Sequence, residues 1–305
     1  MSRDNKSTEE AAPNPVLVGA LWMIGTVICL ATIAIAAREL APSMSIFEMV
    51  FFRALISFCM LLPFVLYLYK GLRLTRHISG HIARNGSHYI AQLAWFYGIT
   101  LLPLAKVFAI EFTTPIWTLV LASIMLGERI TRWKLIALIL GMLGVLVVLR
   151  PGLVPVNSAS IAVLCGAFFF AMSHIFTRKL TSKESPLQIL FYMSVVQVPL
   201  ALPLAIYTWV TPEASAWLWL GLLAILSISA HYCLSRALTI ADASLMIPMD
   251  FLRLPFIVVI GYFFYQESLD WFVLLGAFII STGNFFSVRH EHRRHEADSN
   301  EKPEH

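Results

Sequence analysis

The chain has 305 residues, of which 58% are hydrophobic and 13% charged, with a mean hydropathy of +0.76 and a formal net charge of +4. A soluble domain carries about 25% charged residues to cover its surface, so this composition excludes one. The positive balance reads as membrane topology and attraction to anionic lipid, not as nucleic-acid binding.

Ten apolar runs fill the chain, at 16–37, 47–69, 82–101, 104–126, 132–149, 158–177, 187–208, 215–238, 243–265 and 270–288. About 20 apolar residues make a helix that crosses the hydrocarbon layer. Helices satisfy their own backbone hydrogen bonds in lipid, and the ten-residue alternation of a membrane β-barrel is absent. The chain therefore predicts an all-α integral membrane protein with ten transmembrane helices. The mixed charges of MSRDNKSTEE and the length of the first run predict that this run is retained rather than cleaved.

Lysine and arginine sort by loop. Segments on one side carry Arg3 and Lys6, then Lys70, Arg73, Arg76 and Arg84, then Arg129, Arg132 and Lys134, then Arg178, Lys179 and Lys183, and finally Arg289, Arg293, Arg294 and Lys302. The opposite loops carry Arg38 and Arg150. The positive-inside rule then predicts cytoplasmic termini in a bacterial-type inner membrane. The tails are 1–15 and 289–305.

In chain order, the first run holds Trp22 near its end, where the interfacial belt explains it. The second places Arg53 within the membrane. The third carries Trp95 and Tyr97. The fourth carries Lys106, Glu111, Pro115 and Trp117. Prolines 199 and 203 interrupt the seventh. The eighth carries Tyr232 and Arg236, four apart on one face, and the ninth Pro248, Asp250, Arg253 and Pro255. An ionisable residue at the centre of a spanning helix costs about 2.5–3.5 kcal/mol or more. Such groups face a hydrated cavity or a partner. Equal depth allows Arg53 to pair with Glu111, and Arg236 to reach Asp250, which gives an outer and an inner cluster. Arg253 shares the helix face of Asp250. Lys106 can snorkel to the surface. These groups either hold helices together as buried pairs or contact a solute and carry a coupling proton. Trp95, Trp117 and Tyr232 either pack or offer surfaces for a flat ligand. Pro115, Pro248 and Pro255 each remove a backbone hydrogen bond near an acid and mark bends or hinges.

Cys29, Cys59, Cys165 and Cys233 fall within spans and lack metal-ligand spacing. The tail HEHRRHEADSNEKPEH reads as a solvated, disordered segment. Its His290, His292 and His295 miss the HExxH zinc pattern, since residue 294 is Arg.

The two halves, 16–150 and 158–288, align at an offset of 139 residues. Thr100 falls on Thr239, Phe112 on Phe251, Glu128 on Glu267, Glu111 on Asp250, and Gln92 on His231. Five spans per half is an odd number, so the second half enters from the opposite side. The result is two inverted five-helix repeats, an architecture of secondary transporters.

The segments FFRALISFCMLLP (51–63), FTTPIWTLVLASIMLGERITRWKLIALILGMLGVLVVLRPG (112–152) and HYCLSRALTIADASLMIPMDFLRLPFIVVIGYFFYQE (231–267) resemble the EamA domain of the drug/metabolite transporter superfamily. Gln266 departs from the family, which has glycine before the glutamate. The resemblance implies a central cavity lined by helices 1–4 and 6–9, with helices 5 and 10 peripheral. It also implies a non-ATP transporter of a small organic metabolite, proton-coupled, with export favoured over uptake. An uptake permease for a vitamin or nucleoside-type metabolite is the alternative. No P-loop is present to hydrolyse ATP, and no GxSxG or HExxH motif supports an intramembrane enzyme, while the inverted repeat and the intramembrane acids argue against a channel, so both are remote readings. No cofactor or metal is expected, and the protein works as a monomer or homodimer.

Overall fold

The computed structural model describes residues 15–69, 75–127, 132–150, 157–181, 183–240 and 247–300. All regular structure among them is helical. The helices are α1 (Pro15–Leu40), α2 (Ile46–Tyr69), α3 (Ile78–Leu101), α4 (Leu104–Glu111), α5 (Thr114–Leu126), α6 (Arg132–Leu149), α7 (Ser158–Thr181), α8 (Pro186–Tyr207), α9 (Ala214–Ile240), a 3-10 segment (Ile247–Leu252), α10 (Arg253–Tyr265) and α11 (Trp271–Asn300). They make ten crossings, because α4 and α5 form the fourth and the 3-10 segment with α10 forms the ninth. The predicted start of the ninth span, at 243–246, and Glu128 lie outside the described residues.

The fourth crossing breaks for a local reason. Pro115 has no N–H to give the carbonyl of Glu111, and its ring crowds that carbonyl. The Thr114 hydroxyl donates to it instead, at 2.7 Å, and Thr113 donates to Ile110 at 2.7 Å. The backbone therefore ends one helix at Glu111 and begins another at Thr114. Pro248 lies inside the 3-10 segment and Pro255 in the first turn of α10. By contrast Pro63, Pro199 and Pro203 sit within continuous helices.

The halves interlock. Helix α1 packs on α9 and α3 on α7, which are equivalent pairings under the repeat; α2 packs on α8 and α6 on α11. At the last seam a Cβ on Gly144 would lie 2.7 Å from the Gly276 carbonyl, and one on Gly276 would lie 2.6 Å from the Gly144 carbonyl. Two backbones this close need glycine on both sides. The outer face of α6 exposes Leu135, Ile139, Met142 and Leu146. These two helices thus form a seam with a broad apolar face, as a peripheral position requires.

Two expectations are corrected here. The segment after Arg289 is helical to Asn300 rather than disordered. Glu, Arg and Ala favour helix and no proline intervenes before Pro303, so the last crossing propagates past its apolar part. His290 stacks on Trp133 at 3.7 Å between ring centroids, which ties this extension to α6. Arg84, counted with a loop, lies inside α3 and is 4% exposed.

Each end of the bundle is tied across the repeats. At one end Glu267 accepts from Arg38 at 3.1 Å and from the Leu104 N–H at 2.8 Å. Ser45 contacts Thr208 at 2.7 Å, and Glu48 accepts from the Val210 N–H at 2.7 Å. At the other end Glu184 meets His81 at 2.5 Å and accepts from Thr75. Burial opposes ionisation of Glu184, but the bonds from Thr75 and His81 outweigh it and hold its carboxyl below the usual range. The capping box of Ser185 and Gln188, with Pro186 at the first position, starts α8 beside this contact.

Gln266 ends α10 in the left-handed region, at φ 53°. A side chain there costs about 1 kcal/mol that glycine avoids. Its N–H still closes on Gly261, and the turn sends the Glu267 side chain back over Gly261. Gln266→Gly is therefore expected to raise the stability of the detergent-solubilised protein by about 0.5–1 kcal/mol. Thermal unfolding reads this; an unchanged or lower midpoint contradicts the strain argument.

Candidate functional site

The helix breaks at the fourth and ninth crossings bring two acids together. Arg253 opens α10 and reaches both. Its Nη2 donates to Asp250 Oδ2 at 2.6 Å, and its Nη1 to Glu111 Oε1 at 3.3 Å. The guanidinium also lies 5.2 Å from the ring centre of Phe108 and 5.5 Å from that of Phe112. Trp95 of α3 donates its indole N–H to the second Glu111 oxygen at 2.7 Å. The side chains of Arg253, Glu111 and Asp250 are 6%, 16% and 29% exposed. Asp250 Oδ1 and Arg253 Nε have no protein partner among the described residues. The trio is thus an ion cluster contributed by both halves, with one proton-accepting oxygen uncommitted.

This geometry corrects the two-cluster expectation. Glu111 and Asp250 occupy equivalent positions in inverted repeats. Equivalent residues near the middle of crossing helices meet at the pseudo-symmetry axis, so one cation serves both. Arg53 does not pair with Glu111. Its Nη2 donates to Gln92 Oε1 at 2.9 Å and to Gln197 Oε1. Arg236 does not pair with Asp250 either. Arg236 lies 5.9 Å over the Trp22 ring, and Tyr232 meets the same indole edge-on at 5.8 Å between centroids. Both residues therefore belong to the α1–α9 seam. Trp117 packs edge-to-face on Phe168 of α7, at 5.7 Å, below the break in the fourth crossing. Pro115 and Pro255 flank the ion cluster in sequence. Lys106 lies near the end of the bundle, beside Pro103 and Glu267.

A second polar group was not assembled from sequence. His81, Arg84, Asn85, His88 and Gln92 recur at three- and four-residue spacing along α3 and are all buried. A polar stripe at helical period inside an apolar helix was the available signal. Arg84 donates to Asn85 at 2.6 Å and to Thr177 at 3.2 Å; Gln197 meets His88 at 2.9 Å; the His88 and His231 rings lie 6.1 Å apart. Among the described residues there is no group of three metal-ligating side chains, and the four cysteines are free thiols.

Removing Arg253 leaves two carboxylates facing each other without a cation. Arg253→Leu is expected to destabilise the protein by about 3–5 kcal/mol, and Glu111→Gln added to it is expected to restore part of that loss. Thermal unfolding of the single and double variants tests the shared-cation reading, which fails if the double variant is no more stable than the single.

Residues 17–150 and 157–289 each match the EamA-like transporter family. The chain is 30% identical over 278 residues to a protein of Rickettsia prowazekii (strain Madrid E) named S-adenosylmethionine uptake transporter, covering 90% of this chain and 94% of that one. It is 27% identical to a riboflavin transporter of Rhizobium johnstonii, covering 95% and 97%. A protein of known crystal structure superposes with a TM-score of 0.63 at 15% identity, covering 90% of this chain and 98% of that one, which speaks to the fold alone. The two named relatives are transporters and not enzymes, one of them named for uptake, while a protein of Pseudomonas aeruginosa that is 25% identical, covering 80% of this chain and 86% of that one, is named a pseudopaline exporter. With both halves matched and a relative aligned along nearly its whole length, the chain belongs to the EamA-like transporter family, as a multi-pass, all-helical membrane transporter built from two repeats.

Proposed function

We propose that the protein takes up a small organic metabolite across the bacterial inner membrane by alternating access, coupled to protons. The observation that carries this reading is the Glu111–Arg253–Asp250 cluster, which joins two inverted repeats at two helix breaks. A fixed strut between repeats needs its charges fully paired. Here one cation serves two acids, and Asp250 Oδ1 has no partner among the described residues.

Protonation gives the cluster two states. With both acids ionised, Arg253 holds the fourth and ninth crossings together. When either acid takes a proton, its attraction to Arg253 falls, and that side of the cluster is released. Alternating release of this kind couples proton entry to exposure of the site. Pro115, Pro248 and Pro255 supply the bends about which the half-crossings pivot. Trp95 fixes the orientation of Glu111 through its indole N–H.

The names of the relatives point to nucleoside- or vitamin-type solutes, S-adenosylmethionine and riboflavin among them. Such solutes have flat ring systems, which suits Trp95 and Trp117 as stacking surfaces. Arg53 and the buried α3 stripe supply polar contacts. Arg236 and Tyr232 act through the α1–α9 seam. No cofactor is required, and one chain with two repeats contains a whole transport cycle, so a monomer or homodimer suffices. The repeats run 16–150 and 158–288, between cytoplasmic tails.

Two measurements test this. Proteoliposomes given labelled S-adenosylmethionine or riboflavin are expected to show saturable uptake of at least one of them, with countertransport. Glu111→Gln is expected to reduce proton-driven uptake at least tenfold while exchange across a solute gradient falls less. Non-saturable flux, or equal gradient dependence in the variant, overturns the coupled-transport reading. Reporters fused at residues 1 and 305 are expected to place both ends in the cytoplasm; a periplasmic signal at either end contradicts the topology.

A further inference from the structure

Arg53 is 1% exposed and Arg84 is 4% exposed, and neither meets a carboxylate among the described residues. The partners of Arg53 are two neutral amide oxygens, from Gln92 and Gln197, both on one nitrogen. Its Nε is buried with no partner. The partners of Arg84 are the Asn85 amide oxygen and the Thr177 hydroxyl. Arg84 lies one turn before His88 on α3, and His88 meets the same Gln197 that Arg53 contacts. Around them stand His88, on Gln197, and His231, near His88. No carboxylate among the described residues belongs to this group, although a buried cation costs several kcal/mol unless one is near.

We infer that the buried Arg53–Arg84 pair binds an oxyanion group of the transported solute, a carboxylate or a phosphate. The free Nε of Arg53 and its charge supply the contact that the amides do not. Gln92 and Gln197 hold the guanidinium in place, and Arg84 adds a second positive charge. Arginine suits this role because its planar fork matches an oxyanion geometrically. The idea deepens the transport reading, on which its biological role rests, but its test does not depend on flux.

Thermal unfolding of the full chain in detergent, at constant ionic strength, is the test. The probes are sodium acetate, sodium phosphate and neutral acetamide, with sodium chloride as the reference. At saturating probe the wild-type midpoint is expected to rise by about 3 °C with acetate or with phosphate, and not with acetamide. Which anion acts identifies the carboxylate or the phosphate source. Arg53→Gln is expected to abolish the response and Arg84→Gln to weaken it. Relief of the uncompensated charge is also expected to leave unliganded Arg53→Gln at least as stable as wild type. The inference is overturned if neither anion acts on the wild type, if acetamide acts equally, or if Arg53→Gln responds as wild type does. Should Arg53→Gln fail to fold, the requirement for Arg53 is purely structural and the inference also falls. Solute uptake without anion stabilisation removes this inference alone. Anion stabilisation without uptake of any solute removes the transport reading alone.

Discussion

A guanidinium inside a membrane protein is tolerable only when its charge is met, and Arg253 is met from both halves of the chain at once. That sharing fixes much else. It demands that the fourth and ninth crossings approach near their midpoints. It demands breaks there, since an unbroken helix would not aim Glu111 and Asp250 at a common point while Pro115 and Pro255 follow four and five residues later. It also places Trp95, the Phe108 ring and the Phe112 ring around the cation. The inverted repeat is the geometric means of bringing two equivalent acids to one place.

Much of the fold was legible because lipid imposes a simple rule. A segment without water must satisfy its own backbone, so long apolar runs become helices and their ends fall near the first charges. The broken fourth crossing was legible in part, as Pro115 beside Glu111. Partner choice was not. Sequence depth placed Arg53 level with Glu111, yet helix rotation turns Arg53 toward Gln92 and Gln197. Rotation depends on packing between helices, which a single hydropathy profile does not encode. The same limit hid Arg84. Its place just after a loop reads as a topological charge, whereas α3 begins earlier and buries it. The C-terminal helix was missed for a different reason. Polarity argued for solvation, and solvation is compatible with a helix that grows from a stable end.

Two electrostatic regions of opposite character occupy one bundle. Among the described residues, the region at Arg253 has more acid than base, and the region at Arg53 and Arg84 has base and no acid. Keeping them apart costs stability, because merging them would neutralise both. Natural proteins hold unfavourable arrangements of this kind where a ligand or proton completes them.

The eight-residue helix α4 belongs to the first half by sequence and to the second by attachment. Glu267 grips its beginning through the Leu104 N–H, Arg253 grips its end through Glu111, and its last peptide leads straight into a discontinuity at Phe112 and Thr113. A cut placed between the two repeats would therefore strip α4 of the groups that hold both of its tips, Glu267 and Arg253.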